Sequence, residues 1–176
     1  MSETAMDDWS EDTPAHEVVV DYANGGHEVT TDLDGDGYAD SVAVDTDGDG
    51  HYEAVYTHEH GPGHALDTVS VDSDGDGRVD AVFSDTDHDG RIDTAVLDRD
   101  HDGRVDAMYV DSNHDGAVDQ VVLDRDLDGR ADFATADTDF DGRADVTVTD
   151  TDADGTYDTV HYGDAAPRGL DPFGAN

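Results

Sequence analysis

The chain has 176 residues and a formal net charge of −39, from 47 acidic residues against eight basic ones, with no cysteine. That balance argues against nucleic acid and against an anionic membrane surface, both of which need clustered positive charge. The missing thiols exclude a disulfide scaffold and thiolate chemistry, and no run of apolar residues is long enough for membrane insertion as a helix.

In chain order, residues 1–15 read as a disordered acidic tail. They lack the basic and apolar regions of a secretory signal, so an extracellular or cell-surface location implies a leaderless route, with a cytoplasmic one as the alternative. Residues 16–31, HEVVVDYANGGHEVTT, read as two short capping strands around a tight turn. From residue 32 to about 163 a unit D-x-D-x-D-G-x-x-D-x-x-x-x recurs ten times. The units start at Asp32, Asp45, His58, Asp72, Asp85, Asp98, Asp111, Asp124, Asp137 and Asp150. Every step is 13 residues except the 14 from His58 to Asp72. Residues 164–176 read as a flexible tail.

The first half of each unit has the chemistry of a calcium loop. Carboxylates at positions 1, 3 and 5 can wrap a hard cation, Gly at 6 permits a sharp turn, and the carbonyl at 7 and the carboxylate at 9 can complete the shell. The candidate ligands are, unit by unit, Asp32, Asp34, Asp36 and Asp40; Asp45, Asp47, Asp49 and Glu53; Asp72, Asp74, Asp76 and Asp80; Asp85, Asp87, Asp89 and Asp93; Asp98, Asp100, Asp102 and Asp106; Asp111, Asn113, Asp115 and Asp119; Asp124, Asp126, Asp128 and Asp132; Asp137, Asp139, Asp141 and Asp145; and Asp150, Asp152, Asp154 and Asp158. One Ca2+ per repeat is expected. The dominance of Asp, 41 of the acidic residues, fits positions that need a short carboxylate arm. An EF-hand is excluded, because position 12 carries no Glu and too few residues separate the loops for a helix.

A loop such as DSDGDGRVD (residues 72–80) resembles the aspartate-rich calcium loops of thrombospondin type 3 repeats. The alternation of loop and short strand is similar in principle to the calcium-loaded β-roll of RTX proteins. The resemblance covers residues 32–163, without the cysteines of the first family or the nonapeptide period of the second. It implies calcium binding and extracellular use.

The second half of each unit is short and apolar, with Val42, Val82, Val121 and their equivalents at position 11, and reads as a strand. Positions 10, 12 and 13 alternate between odd and even units, so the structural period is two units. The expected fold is an all-β, calcium-stabilised parallel β-solenoid or β-roll, with two units per 26-residue coil and about five coils. Positions 8 and 11 are expected to point inward with 13 adding to the core, and positions 10 and 12 outward. Unit nine, with VTVT at 146–149, puts valines on the outward positions, so its strand is either flipped or covered.

Three features break the pattern. In unit three, His58 and His60 replace Asp at positions 1 and 3; with His64, Glu59 and Asp67 nearby they are candidates for Zn2+ or another transition metal. His88, His101 and His114 occupy position 4 of three successive units and read as solvent-exposed loop tips, with His88 and His114 on one edge and His101 opposite. Tyr56, Phe83 and Tyr109 line up on the outward face of the even-numbered sheet, a candidate surface for a second copy of the chain or for a protein or carbohydrate partner. No catalytic constellation stands out, so the expectation is a calcium-driven structural or interaction module rather than an enzyme. A metal-dependent enzyme at the His58–His64 loop is the lesser alternative.

Overall fold

The computed structural model describes residues 16–60 and 63–163. Within them the chain is all-β: twelve strands in one open sheet, each paired with its sequence neighbours, in the order β1 to β12. β1 (His16–Asp21) and β2 (His27–Asp32) form a hairpin whose turn closes with Tyr22 N–H donating to the Gly26 carbonyl at 2.8 Å. Ten more strands follow: β3 (Ser41–Asp45), β4 (Ala54–Thr57), β5 (Thr68–Val71), β6 (Ala81–Ser84), β7 (Thr94–Leu97), β8 (Ala107–Val110), β9 (Gln120–Leu123), β10 (Phe133–Ala136), β11 (Val146–Thr149) and β12 (Thr159–Tyr162). One strand falls in the apolar half of each unit, and the acidic half forms the connection. The tails expected at residues 1–15 and 164–176 lie outside the described residues.

Every pairing is antiparallel, so the parallel solenoid is not what forms. The two-unit rhythm has a different cause. Successive strands run in opposite directions, and in an antiparallel pair residues directly opposite share a face. Leu97 pairs with Ala107 and Ala95 with Tyr109, so position 13 of an odd unit lies beside position 10 of an even one, and 11 beside 12. One face therefore collects positions 11 and 13 from odd units and 10 and 12 from even units. The expected assignment, one set of positions inward in every unit, holds for alternate strands only.

That face carries the core. Ala95, Ala107, Tyr109, Val121, Leu123 and Phe133 are buried, with Phe83, Leu97 and Val118 packed against them. They fall into two cross-strand rows, Phe83–Ala95–Tyr109–Val121 and Leu97–Ala107–Leu123–Phe133. Alanines sit beside large neighbours, which lets the rows interdigitate in a thin layer. Position 8 alternates as well: Val118 and Ala144 of odd units turn inward, whereas Val79 and Val105 of even units are exposed.

β11 is not flipped. Thr147 lies in the core row opposite Thr135, and Val146 and Val148 remain on the other face, half-buried. The hydroxyls are accommodated because Thr135 Oγ1 donates to the Val146 carbonyl at 3.0 Å and sits 3.3 Å from Thr147 Oγ1.

Candidate metal centre

Consecutive loops leave opposite edges of the sheet, so loop n stacks on loop n+2. The strand ladder continues between them: Asp98 N–H donates to the Asp80 carbonyl and Asp111 N–H to the Asp93 carbonyl, both at 2.7 Å. Arginines at position 7 tie the stack further. Arg91 Nη1 donates to the Asp115 carbonyl at 3.0 Å and Arg104 Nη1 to the Asp128 carbonyl at 3.1 Å, so these side chains link loops instead of only offsetting charge at the rim.

Loop six, Asp98–Asp106, illustrates the unit. Asp98 Oδ1 accepts from His101 N–H at 2.8 Å and its Oδ2 from Gly103 N–H at 2.7 Å. Asp100 Oδ1 accepts from Asp102 N–H at 3.2 Å, and Asp102 Oδ1 from Arg104 N–H at 2.9 Å. Asp106 closes the ring, its Oδ2 accepting from Arg99 N–H at 2.6 Å. Positions 1 and 9 are rooted in the sheet: Asp98 and Asp106 are buried, as are Asp72, Asp80, Asp111, Asp119, Asp124 and Asp132. A buried carboxylate is tolerable only when hydrogen-bonded, and the loop amides supply those bonds. Positions 3 and 5 stand at the rim, where Asp100 and Asp102 are exposed.

The carboxylates converge. Asp72, Asp74 and Asp76 offer oxygens within 4.8 Å of one another, as do Asp32, Asp34 and Asp36, and Asp45, Asp47, Asp49 and Glu53. The electrostatics record the crowding. Partial desolvation against the loop, together with the charges of neighbouring carboxylates, pushes the position-3 carboxyls of Asp100 and Asp126 up, and the nearby charges of Asp145 and Asp154 do the same to Asp139 and Asp152. At position 9 the Ser73 hydroxyl and N–H, with His101, hold Asp80 down at about 2. Thr138 and Thr151 likewise hold Asp145 and Asp158 down. Units nine and ten thus each combine an anchored anion at position 9 with a repelled one at position 3, an arrangement a cation relieves.

Position 2 went unread in the sequence. Ser73, Thr86, Ser112 and Thr151 each donate a hydroxyl to the position-9 carboxylate at 2.6–2.8 Å, and Thr138 does the same. The recurrence of Ser or Thr there was the available signal.

The position-4 histidines are not free loop tips. His101 Nδ1 lies 2.8 Å from Asp80 Oδ1 and 3.6 Å from Asp74 Oδ2; His114 Nδ1 lies 3.0 Å from Asp93 Oδ1 and 3.7 Å from Asp87 Oδ2. Each reaches positions 3 and 9 of the loop stacked two units before, with His101 on the opposite edge from His114. The bonds to Asp80 and Asp93 raise the two histidine pKa values.

Unit three divides its histidines. His58 Nδ1 lies 3.1 Å from Asp67 Oδ2 and His60 Nδ1 3.3 Å from Asp67 Oδ1. His64 goes elsewhere: its Nδ1 is 3.0 Å from Asp36 Oδ2, and its ring stacks on Tyr38 with centroids 4.1 Å apart. The trio His58, His60 and His64 is therefore not assembled as one site.

Nor do Tyr56, Phe83 and Tyr109 form an outward stripe. They lie in one row of the core face, interleaved with Val69 and Ala95. Tyr109 is 7% exposed and Phe83 packs on the cluster, whereas Tyr56 is 41% exposed. The expected separation of even strands into their own sheet fails because odd strands lie between them. Compared with family models, curated proteins and solved structures, the chain has no match.

Proposed function

We propose that this protein is a calcium-binding repeat module whose fold forms as its loops fill. The observation that carries the reading is the convergence of position-1, -3 and -5 oxygens in loops such as Asp72–Asp76, each carboxylate oriented by a backbone N–H. Three Asp side chains, a position-7 carbonyl and water supply hard oxygen donors at the count calcium prefers; magnesium, with stricter octahedral demands, fits such loops less well.

Nine loops, all but that of unit three, keep a nearly complete ligand set. At a free calcium concentration ten times the dissociation constant, each would stabilise the fold by about 1.4 kcal/mol and nine together by about 12 kcal/mol, comparable to the stability of a whole domain. Stacked loops share backbone bonds, so filling one favours its neighbour and the transition is cooperative. Affinities of roughly 10⁻⁴–10⁻³ M per site suit an extracellular setting.

Circular dichroism and hydrodynamic radius with calcium and with chelator test this. The expected result is an expanded chain in chelator and a compact, β-rich one as calcium enters the millimolar range. An unchanged spectrum and radius after complete calcium removal would defeat the proposal.

A further inference from the structure

Two irregularities 30 residues apart in sequence, the histidine-substituted loop of unit three and the His88 that interrupts unit five, meet in space. Loop five stacks on loop three, with Asp85 N–H donating to the Asp67 carbonyl at 2.8 Å. In the two later loop pairs the position-4 histidine reaches a pair of carboxylates, Asp74 with Asp80 and Asp87 with Asp93. In loop three the same two positions hold His60 and Asp67; His88 Nδ1 lies 3.9 Å from Asp67 Oδ2, and its ring faces that of His58 with centroids 6.1 Å apart.

We propose that His60, Asp67 and His88 form a site for a borderline divalent transition-metal ion, represented by Zn2+, distinct in chemistry from the loops in which positions 3 and 9 are both carboxylates. Nitrogen donors from two imidazoles and one carboxylate oxygen are a donor set that zinc accepts and calcium does not favour. His60 Nδ1 is 3.3 Å from Asp67 Oδ1 and His88 Nδ1 is 3.9 Å from Asp67 Oδ2. Ligands held 2.0–2.1 Å from a tetrahedral zinc are about 3.3 Å apart; the His60–Asp67 pair already has that spacing and the His88–Asp67 pair exceeds it, so both imidazoles flank the one carboxylate that would join them at the ion.

His88 supplies the independent observation. Both its ring nitrogens are buried, and neither has a hydrogen-bond partner among the described residues. The 3.9 Å separation from Asp67 is too long for a hydrogen bond. Burying polar atoms without partners is costly, and a metal at this point would engage one of them directly. Asp67 is prepared as an anion: its side chain is 1% exposed, and despite that burial the N–H groups of Glu59 and His60, with the Thr68 hydroxyl, hold its carboxyl well below the usual range. His58 acts as a positioning residue, its Nδ1 close to the Ala65 carbonyl (2.7 Å) and to Asp67 Oδ2 (3.1 Å), the kind of outer contact that orients a ligating carboxylate.

The test is zinc titration of the full chain in saturating calcium, by calorimetry and by competition with a chromogenic chelator. His88→Gly removes the imidazole without a conformational penalty, since φ is +64° there and Gly75 fills the equivalent position of unit four at +76°. His60→Asp restores the ordinary position-3 carboxylate. Wild type should take up one zinc per chain, and each variant should bind it about a hundredfold more weakly or worse. His64→Ala and His114→Gly should leave that zinc in place, and Co2+ should give a tetrahedral visible spectrum in wild type that His88→Gly abolishes. Circular dichroism on the same samples reports the calcium-dependent fold separately. Equal zinc affinity in wild type and His88→Gly, zinc lost in His64→Ala, or no zinc uptake by folded wild type would each overturn the assignment.

Discussion

The middle of the sheet and its N-terminal end belong to one continuous antiparallel sheet and are held differently. Along the core face, β6 to β10 carry Phe83, Ala95, Leu97, Tyr109, Leu123 and Phe133, and these bury one another. The corresponding rows in β1 to β3 contain Val18, Val20, Glu28, Thr30, Val42 and Val44, none of them in the buried cluster; Val18 is 58% exposed. From Asp32 onward the acidic loops keep the same pattern toward both regions, unit three excepted. Where the apolar layer thins, hydrogen bonds within and between the loops carry more of the cohesion; under the proposed calcium reading, the repeat would separate a uniform metal contribution from a hydrophobic one concentrated in the centre.

Calcium withdrawal is the harshest way to break that comparison. Removing about 12 kcal/mol of ion binding should unfold the whole sheet, and partial withdrawal should unfold the N-terminal strands first. Hydrogen exchange across a calcium titration should show amides of β2 to β4 losing protection at a higher calcium concentration than those of β8 to β10. Simultaneous loss everywhere would mean that the central core adds nothing local.

The next largest effect comes from the core itself. Tyr109→Ala should cost about 3 kcal/mol in saturating calcium, by analogy with other buried aromatic truncations, whereas Tyr56→Ala, in the same row but 41% exposed, should cost under about 1 kcal/mol. Denaturant unfolding of the two variants compares them directly, and equal losses would erase the distinction between centre and end.

Acid should partly replace calcium. Asp139 and Asp152 have carboxyls pushed up by neighbouring carboxylates, so folding favours their protonated forms; that contribution is complete below the ordinary value of about 3.9 and is lost as pH rises through the raised values. Asp80, held at about 2, works the other way, its contribution being complete above about 3.9 and lost as pH falls through about 2. In chelator, β-structure followed by circular dichroism should therefore recover partly as pH drops to about 4 and decline again as it approaches 2. A steady loss of structure from neutral pH downward would contradict this.

The smallest expected effect concerns position 4. Gly fills it in units one, two and four, whereas Ala153 holds φ at +59° in unit ten. Ala153→Gly should stabilise the calcium-loaded protein by up to about 1 kcal/mol, measured as a raised melting temperature.

The loops and strands were legible from spacing, because Asp at positions 1, 3, 5 and 9 and a β-branched run leave few alternatives. Strand direction was not. The alternation of Ala107 and Tyr109 with Ala95 and Leu97 fits either a two-strand coil or a meander, since both return to the same side chains every two units; only the pairing of Leu97 with Ala107 separates them. His60 and Asp67 are visible as candidates in the sequence, whereas the surroundings of His88 depend on which loops stack and cannot be read from spacing. His64 was grouped with His58 by proximity in sequence, and its contacts with Asp36 and Tyr38 cross to loop one.

Antiparallel alternation also sets a parity rule on length. Excising residues 98–123 removes two units and brings Phe133 opposite Leu97, an apolar match like the one Ala107 makes now. Excising residues 98–110 removes one unit and brings Gln120 to that place; every later strand then turns its other face to the core and every later loop changes edge. A family of such chains can therefore lengthen or shorten in pairs of units without redesign, whereas odd changes carry a penalty that grows with the number of strands downstream.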